Sequence, residues 1–201
     1  DSLDDPLLNV LRHTEGESSF SLFEILDLTQ SDGFHQLVDR IRESPLEPGG
    51  FEANPLLSAP AIVTAMQELH DLSQDAAVVY LQTLVLPDPS TARLRAINAW
   101  TAAKYNKACA ELTKRSLVLE AKRARAGRKH FLPGGWEALK APHPPIETWK
   151  LPLLGIAADL TMPLGHVLPV EPLHTLFARA LERIQSGDEP RYEDARKRGK
   201  K

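Results

Sequence analysis

The stretch that decides the fold of this 201-residue chain reads LSQDAAVVYLQTLVLPDP at residues 72–89, TAAKYNKACAELTKRSLV at 101–118 and LEAKRARAGRKHFLP at 119–133. Apolar residues in the first two blocks recur at the three- and four-residue spacing of one helix face. The third block alternates apolar and polar residues and then turns at Ala126-Gly127, which is typical of a β-hairpin. The sequence therefore predicts two helices followed by a hairpin.

The helix predicted from Ala102 to Arg115 has two faces of opposite character. One face carries the apolar residues Tyr105, Ala108, Cys109 and Leu112, and the other carries Lys104, Lys107, Glu111 and Lys114. We expect the apolar face to lie in the core and the polar face to meet solvent or a partner. Thr101 is the predicted N-cap, and a short helix over Thr91–Ala99 is predicted within the connection from Pro87 to Trp100.

Charge is distributed unevenly along the chain, although the net charge is only −3. Residues 1–60 hold twelve acidic and three basic side chains, whereas residues 91–130 hold eleven basic and two acidic ones. Clustering of one sign indicates a polyanion or an acidic protein surface as partner. The alternative is a solvated face that the acidic N-terminal region balances.

Residues about 58–132 resemble the winged helix-turn-helix domains of bacterial and archaeal transcription regulators. The resemblance rests on the helix LSQDAAVVYLQTL, on TAAKYNKACAELTKRSLV as recognition helix and on LEAKRARAGRKHFLP as wing. It implies a mainly α fold with a small β-hairpin wing, in which the recognition helix enters the major groove of duplex DNA. The nucleic-acid-binding residues that it implies are Lys104, Asn106 and Lys107 on the helix and Arg123, Arg125, Arg128 and Lys129 in the wing. Asn106 would contact a base edge, and the basic residues would neutralise phosphates.

The remaining sequence divides the chain into three parts. An acidic helical subdomain is predicted over residues 1–55, the winged-helix domain over 56–136, and a proline-rich arm, a C-terminal helix and a charged mobile tail over 137–201. The first part contains the helical spacing Phe34, Leu37, Val38, Ile41, capped by Ser31. Residues 141–172 have too many prolines for a helix and too many large apolar residues for a free spacer. They predict an ordered extended arm whose Trp149 and Leu151 dock in a groove of this chain or of a partner.

No motif for catalysis, metal or cofactor binding is present. The seven histidines form no i, i+4 pair, and GxSxG, Walker, GxGxxG and HExxH patterns do not occur. The single cysteine, Cys109, excludes an internal disulfide and falls on an apolar face, which favours a buried, unreactive thiol. His130 lies beside the wing bases, where it would assist phosphate binding when protonated, and the alternative is a histidine that is simply exposed. No apolar run approaches the ~18 residues of a membrane span.

These features predict a cytoplasmic, non-enzymatic winged-helix module that contacts duplex DNA weakly or without sequence preference. Two alternatives stay open. One is a protein-interaction or scaffold segment of a larger bacterial protein or assembly, and the other is a regulatory portion of an enzyme whose active site lies elsewhere. The chain opens on Asp1 and not on methionine, which is typical of a processed product or a piece of a longer polypeptide.

Overall fold

The computed structural model describes residues 22–43 and 45–192, and over this range the chain is mainly helical, as predicted. The α-helices are α1 Leu22–Thr29, α2 Asp32–Glu43, α3 Pro55–Ser58, α4 Pro60–His70, α5 Gln74–Val85, α6 Thr91–Asn98, α7 Ala102–Lys114 and α8 Leu173–Gln185. The strands are β1 Leu119–Glu120, β2 His130–Phe131, β3 Trp136–Glu137 and β4 Ile146–Glu147, and 3₁₀ helices cover Thr148–Leu154 and Pro163–Gly165. Two predicted parts, the start of the N-terminal subdomain (1–21) and most of the charged tail (193–201), lie outside the described residues.

Helix α5 forms the centre of the core. Every residue from Ala76 to Val85 is buried, and α4, α7, α8 and the 3₁₀ helix at 148–154 all pack against it. A helix that is enclosed on all sides needs no polar face, which explains its run of apolar residues. Ser73 caps it as predicted, because the Ser73 hydroxyl accepts a hydrogen bond from the backbone N–H of Ala76 at 3.3 Å.

A buried pair of amides connects α5 to α6. Gln82 Nε2 donates to Asn98 Oδ1 at 2.9 Å, and Asn98 Nδ2 donates back to Gln82 Oε1 at 2.8 Å. Gln82 Nε2 also donates to the carbonyl of Ala53 at 2.8 Å, in the loop before α3. Buried amides are stable in a core only when their donors and acceptors are paired, so this pair fixes the placement of α6 and of the loop.

Only three residues connect α6 to α7. Ala99 takes the left-handed conformation (φ 53°), and the N–H of Trp100 donates to the carbonyl of Arg95 at 2.9 Å, which ends α6. Thr101 then caps α7, because its hydroxyl accepts from the N–H of Lys104 at 3.3 Å. The apolar face of α7 is buried against α5 as predicted, through Tyr105, Ala108, Cys109 and Leu112.

A hairpin follows α7 where the sequence predicts one, and its tip contacts α6. The ladder pairs Leu119 with Phe131 and Glu120 with His130. At the tip, the carbonyl of Gly127 accepts a hydrogen bond from the N–H of Thr91 at 3.1 Å, at the start of α6. This bond and the buried side chain of Ala126 anchor the tip on one side, while Ala124, Arg125 and Gly127 are exposed.

The proline-rich arm contributes to the same core and is not extended at its centre. Strands β3 and β4 pair antiparallel, and residues 148–154 then form a 3₁₀ helix where an extended arm was predicted. Gly155 ends it in the left-handed conformation (φ 65°), and the N–H of Ile156 donates to the carbonyl of Leu151 at 2.9 Å. Leu151, Leu153 and Leu154 are buried in the cluster that also holds α5 and α8. No helix within the described residues is long and apolar enough to cross a membrane.

Candidate functional site

Arg128, predicted as a wing contact, lies in a buried cluster with Glu147 and Lys150. The three side chains are at most 2% exposed. Arg128 donates to both carboxylate oxygens of Glu147 at 2.7 and 2.8 Å, and Lys150 Nζ lies 2.9 Å from Glu147 Oε2 and donates to the carbonyl of Leu86 at 3.0 Å. An enclosed guanidinium does not reach a phosphate. Arg128 therefore connects the hairpin to the arm and is not part of an exposed basic surface.

Burial and charge act in opposite directions on the pKa values of this cluster. Burial alone would raise the pKa of Glu147, but the adjacent Lys150 and Arg128 outweigh it and hold that pKa below its usual range. Burial lowers the pKa of Lys150 to about 8, although Glu147 opposes that shift. Two cations share one carboxylate, so the cluster depends on Glu147.

Two other wing bases, Arg123 and Arg125, also turn toward the arm. The guanidinium of Arg123 lies 4.4 Å from the centre of the Trp136 ring. The guanidinium of Arg125 donates to the carbonyl of Leu139 and to that of His143, the latter at 3.3 Å. Both arginines would have to leave these contacts to bind a nucleic acid fully.

The basic segment at residues 91–130 is also partly neutralised by nearby carboxylates. Five of its eleven bases have a carboxylate oxygen within 4 Å, namely Arg93, Lys104, Arg115, Arg128 and Lys129. Of the predicted nucleic-acid contacts, Asn106 and Lys107 are exposed on α7, and within the described part of the chain neither forms an ion pair or a side-chain hydrogen bond. The predicted helix residues Lys104, Asn106 and Lys107 are thus exposed, whereas Arg128 of the wing is enclosed.

His130 and Cys109 are both enclosed. His130 is buried, with its Nε2 3.3 Å from Glu120, so the expectation that it is exposed beside the wing bases is wrong. Burial lowers the pKa of His130, which keeps the ring neutral near pH 7. Cys109 is buried as predicted, and burial raises the pKa of its thiol to about 11. No group of three or more candidate ligand side chains within the described residues is placed to hold a metal ion.

The two predicted docking residues of the arm contact this chain. Leu151 is buried in the core, and Trp149 is half-buried at the end of α8. The indole N–H of Trp149 donates to the carbonyl of Asp188 at 3.0 Å, and the guanidinium of Arg183 lies 3.9 Å from the ring centre. The sequence did not decide whether the arm docks in a groove of this chain or of a partner, and these contacts favour this chain.

An open apolar groove lies beside α2, and the sequence did not indicate it. Its volume is about 520 Å³, and its walls are α2, the loop 45–52 and residues 169–173 at the start of α8. The apolar lining includes Leu37, Ile41, Leu46, Pro169, Pro172 and Leu173. The spacing Phe34, Leu37, Val38, Ile41 predicted the helix correctly, and Ser31 caps it with a 3.2 Å hydrogen bond from the N–H of Phe34. None of the residues of α2 is buried, however.

Three large apolar side chains stand exposed at or beside the groove. Ile41 is 67% exposed, Phe51 51% and Leu57 49%. Leu57 belongs to the same surface, since a Cβ placed on the lining residue Gly50 would lie 3.5 Å from it. Contiguous exposed apolar surface of this kind is typical of interaction sites.

Acidic residues predominate around the groove. Arg40 inside it is neutralised by Glu52, with Arg40 Nε 2.9 Å from Glu52 Oε1, and Glu171 is bonded to Arg179. Residues 32–54 and 169–173 together carry six carboxylates and two guanidinium groups, and the guanidinium of Arg179 on Glu171 brings the net charge to −3. Comparisons of the chain with protein-family models, with curated proteins and with solved structures found no match.

Proposed function

We propose that this chain is a non-enzymatic protein-binding module that holds an apolar segment of another protein in the groove beside α2. The observation that carries the proposal is the state of α2, an amphipathic helix of 12 residues with none of them buried. Such a helix is normally stabilised by covering its apolar face, because isolated helices of this length are marginal in water. A partner bound in the groove would cover the apolar face of α2.

The free energy gained by burying the exposed apolar side chains at the groove supports a protein partner. Full burial of a large apolar side chain is worth ~1.5–3 kcal/mol, and binding energy at interfaces is concentrated in a few such residues. Ile41, Phe51 and Leu57 are each about half exposed or more, so a partner that covers all three gains a substantial part of that value from each.

A peptide-display selection against the intact chain tests this function. The expected result is a set of peptides with apolar residues whose binding to Ile41→Glu is at least tenfold weaker, a loss of about 1.4 kcal/mol. Leu69→Glu is the matched control, since Leu69 is an exposed apolar residue of α4 outside the groove lining. A selection that yields no peptide dependent on Ile41 would contradict the proposal.

A second candidate function, contact with duplex DNA, is favoured by the arrangement of α6 and α7. A three-residue connection between two helices, followed by a hairpin, is typical of a helix-turn-helix with a wing. Asn106 and Lys107 on the open face of α7 would then make the contacts. Because the hairpin tip is anchored on one side, we expect few phosphate contacts and weak binding.

Fluorescence anisotropy with duplex DNA at low salt tests this candidate. One phosphate contact, made by Lys107, would give a log–log salt slope of about −0.9. Lys107→Glu should abolish binding, whereas Lys140→Glu, which changes an exposed lysine in the arm, should leave most of it. If wild-type protein shows no binding at low salt, the DNA function is wrong.

A further inference from the structure

The shape of the groove surface indicates what kind of molecule covers it. The cavity itself is within the ~300–1,000 Å³ range of sites for small ligands. Leu57, which lies against the lining residue Gly50, extends the apolar surface past the cavity lining, and the exposed Phe51 stands between the lining residues Gly50 and Glu52 in the chain. A small apolar ligand would fill the cavity and leave these two residues in water, whereas a protein segment covers both.

Charge at the edge of the groove indicates the polarity of that segment. Glu43 and Glu47 stand on either side of the wall residues Pro45 and Leu46. Within the part of the chain that the structure describes, neither carboxylate has a basic nitrogen within 4 Å, although Glu43 is close enough to His174 to oppose the lowering of that ring's pKa. Arg40 is already bonded to Glu52. Unpaired carboxylates beside an apolar floor attract a segment that carries cations next to its apolar residues.

The same charges argue against a second copy of this chain as the occupant. A symmetric dimer through the groove would bring two surfaces of net charge −3 together. Like charges that face each other across an interface oppose association. The groove is therefore better matched to a partner of opposite charge.

Resting on the protein-binding function proposed above, we infer that the partner segment is amphipathic, with apolar residues in the groove and lysine or arginine residues flanking them. The apolar residues cover Ile41, Phe51 and Leu57. The flanking cations lie near Glu43 and Glu47. Attraction between these charges also accelerates encounter at low salt, and added salt screens it.

The experiment uses the display selection on the intact chain with a library randomised at both central and flanking positions. We expect lysine and arginine to be enriched over aspartate and glutamate at the flanks of the selected peptides. The best selected peptide is then synthesised together with a version in which each flanking base is changed to glutamate. At low salt the basic version should bind at least tenfold more tightly, and the difference should shrink at high salt.

A pair of double variants locates the effect. Glu43→Lys with Glu47→Lys should reverse the preference between the two peptides. Glu68→Lys with Glu182→Lys adds the same charge at exposed positions outside the groove lining and should leave the preference unchanged. If both double variants change the preference between the two peptides equally, net charge alone explains it. The assignment to Glu43 and Glu47 is then wrong.

The outcomes separate this inference from the function on which it rests. Selected peptides that depend on Ile41 but have neutral or acidic flanks overturn the inference and leave the protein-binding function in place. If no Ile41-dependent peptide is selected, both fail. A concentration-dependent dimer in sedimentation that Ile41→Glu disrupts would identify a second copy as the occupant and overturn the inference.

Discussion

At the scale of single residues, the buried cluster of Arg128, Glu147 and Lys150 shows how one carboxylate holds two cations in a core. Transfer of a charge from water into a protein interior costs several kcal/mol, and paired hydrogen bonds offset that cost. Glu147 accepts two bonds from Arg128 and lies 2.9 Å from Lys150 Nζ. Loss of Glu147 leaves two cations facing each other, whereas loss of Lys150 leaves a neutral pair.

We therefore predict unequal effects of two substitutions in this cluster. Glu147→Gln should lower the free energy of unfolding by about 3–5 kcal/mol, and Lys150→Met by much less. Urea denaturation at pH 7 measures both, with Glu182→Gln on the exposed face of α8 as control. Equal losses for the two variants would show that the cluster does not depend on its carboxylate.

The same substitution has a pH dependence of known sign. The pKa of Glu147 is below its ordinary value of 4.5 in the folded chain, so its contribution to stability is present above that value. The contribution is lost as the pH falls through the lowered folded pKa. The part of the difference between wild type and Glu147→Gln that comes from the carboxylate should therefore shrink as the pH falls below 4.5.

At the scale of elements, the contact of the hairpin tip with α6 decides whether the hairpin can act as a wing. Gly127 has φ +63°, and a Cβ added there would lie 3.0 Å from the Cβ of Ser90. Gly49 also has a positive φ, of +89°, but an added Cβ would have no neighbour within 4 Å. Substitution by alanine strains the backbone at both positions. Only at position 127 does the added Cβ also meet a neighbouring side chain.

We predict that Gly127→Ala destabilises the chain more than Gly49→Ala does. The left-handed conformation should cost each alanine variant about 1–2 kcal/mol, and the approach to Ser90 should add to the cost at position 127 only. Thermal or urea unfolding measures the difference, and Ser90→Gly in the Gly127→Ala background should recover part of it. Equal costs at the two positions would mean that the tip is free in solution, as a DNA-contacting wing requires.

At the scale of the whole molecule, one buried and two partly buried histidines on three separate elements act together on the pH dependence of stability. His70 at the end of α4, His130 in β2 and His174 in α8 each have a pKa below the ordinary value of 6.5, mainly because burial penalises the charged ring. Unfolding exposes all three, so the unfolded chain binds protons that the folded chain does not. Stability therefore falls as the pH drops below 6.5.

We predict a lower free energy of unfolding at pH 5.5 than at pH 7.5, with each histidine contributing a slope of at most about 1.4 kcal/mol per pH unit. His130→Gln should reduce the slope, and His35→Gln, at an exposed position of α2, should not. Urea unfolding at several pH values measures it. A stability that is constant or rises between pH 7.5 and 5.5 would contradict the burial of these rings.

Much of the local structure follows from the sequence. The caps Ser31, Ser73 and Thr101 and the two faces of α7 were all predicted, because capping and helical periodicity act within one or two turns of the chain. The hairpin position was predicted for the same reason, since a turn signal stands between two short alternating segments. These short-range features establish a mainly helical protein.

Only the tertiary structure decided which of these features are exposed. Arg128 meets Glu147 nineteen residues away, and no local pattern distinguishes it from the exposed Lys129 beside it. The apolar spacing of α2 predicts a covered face, yet the elements that surround it leave a groove open. Periodicity shows where apolar and charged side chains recur, whereas burial depends on what distant segments place against them. That placement determined both the burial of Arg128 and the presence of the groove.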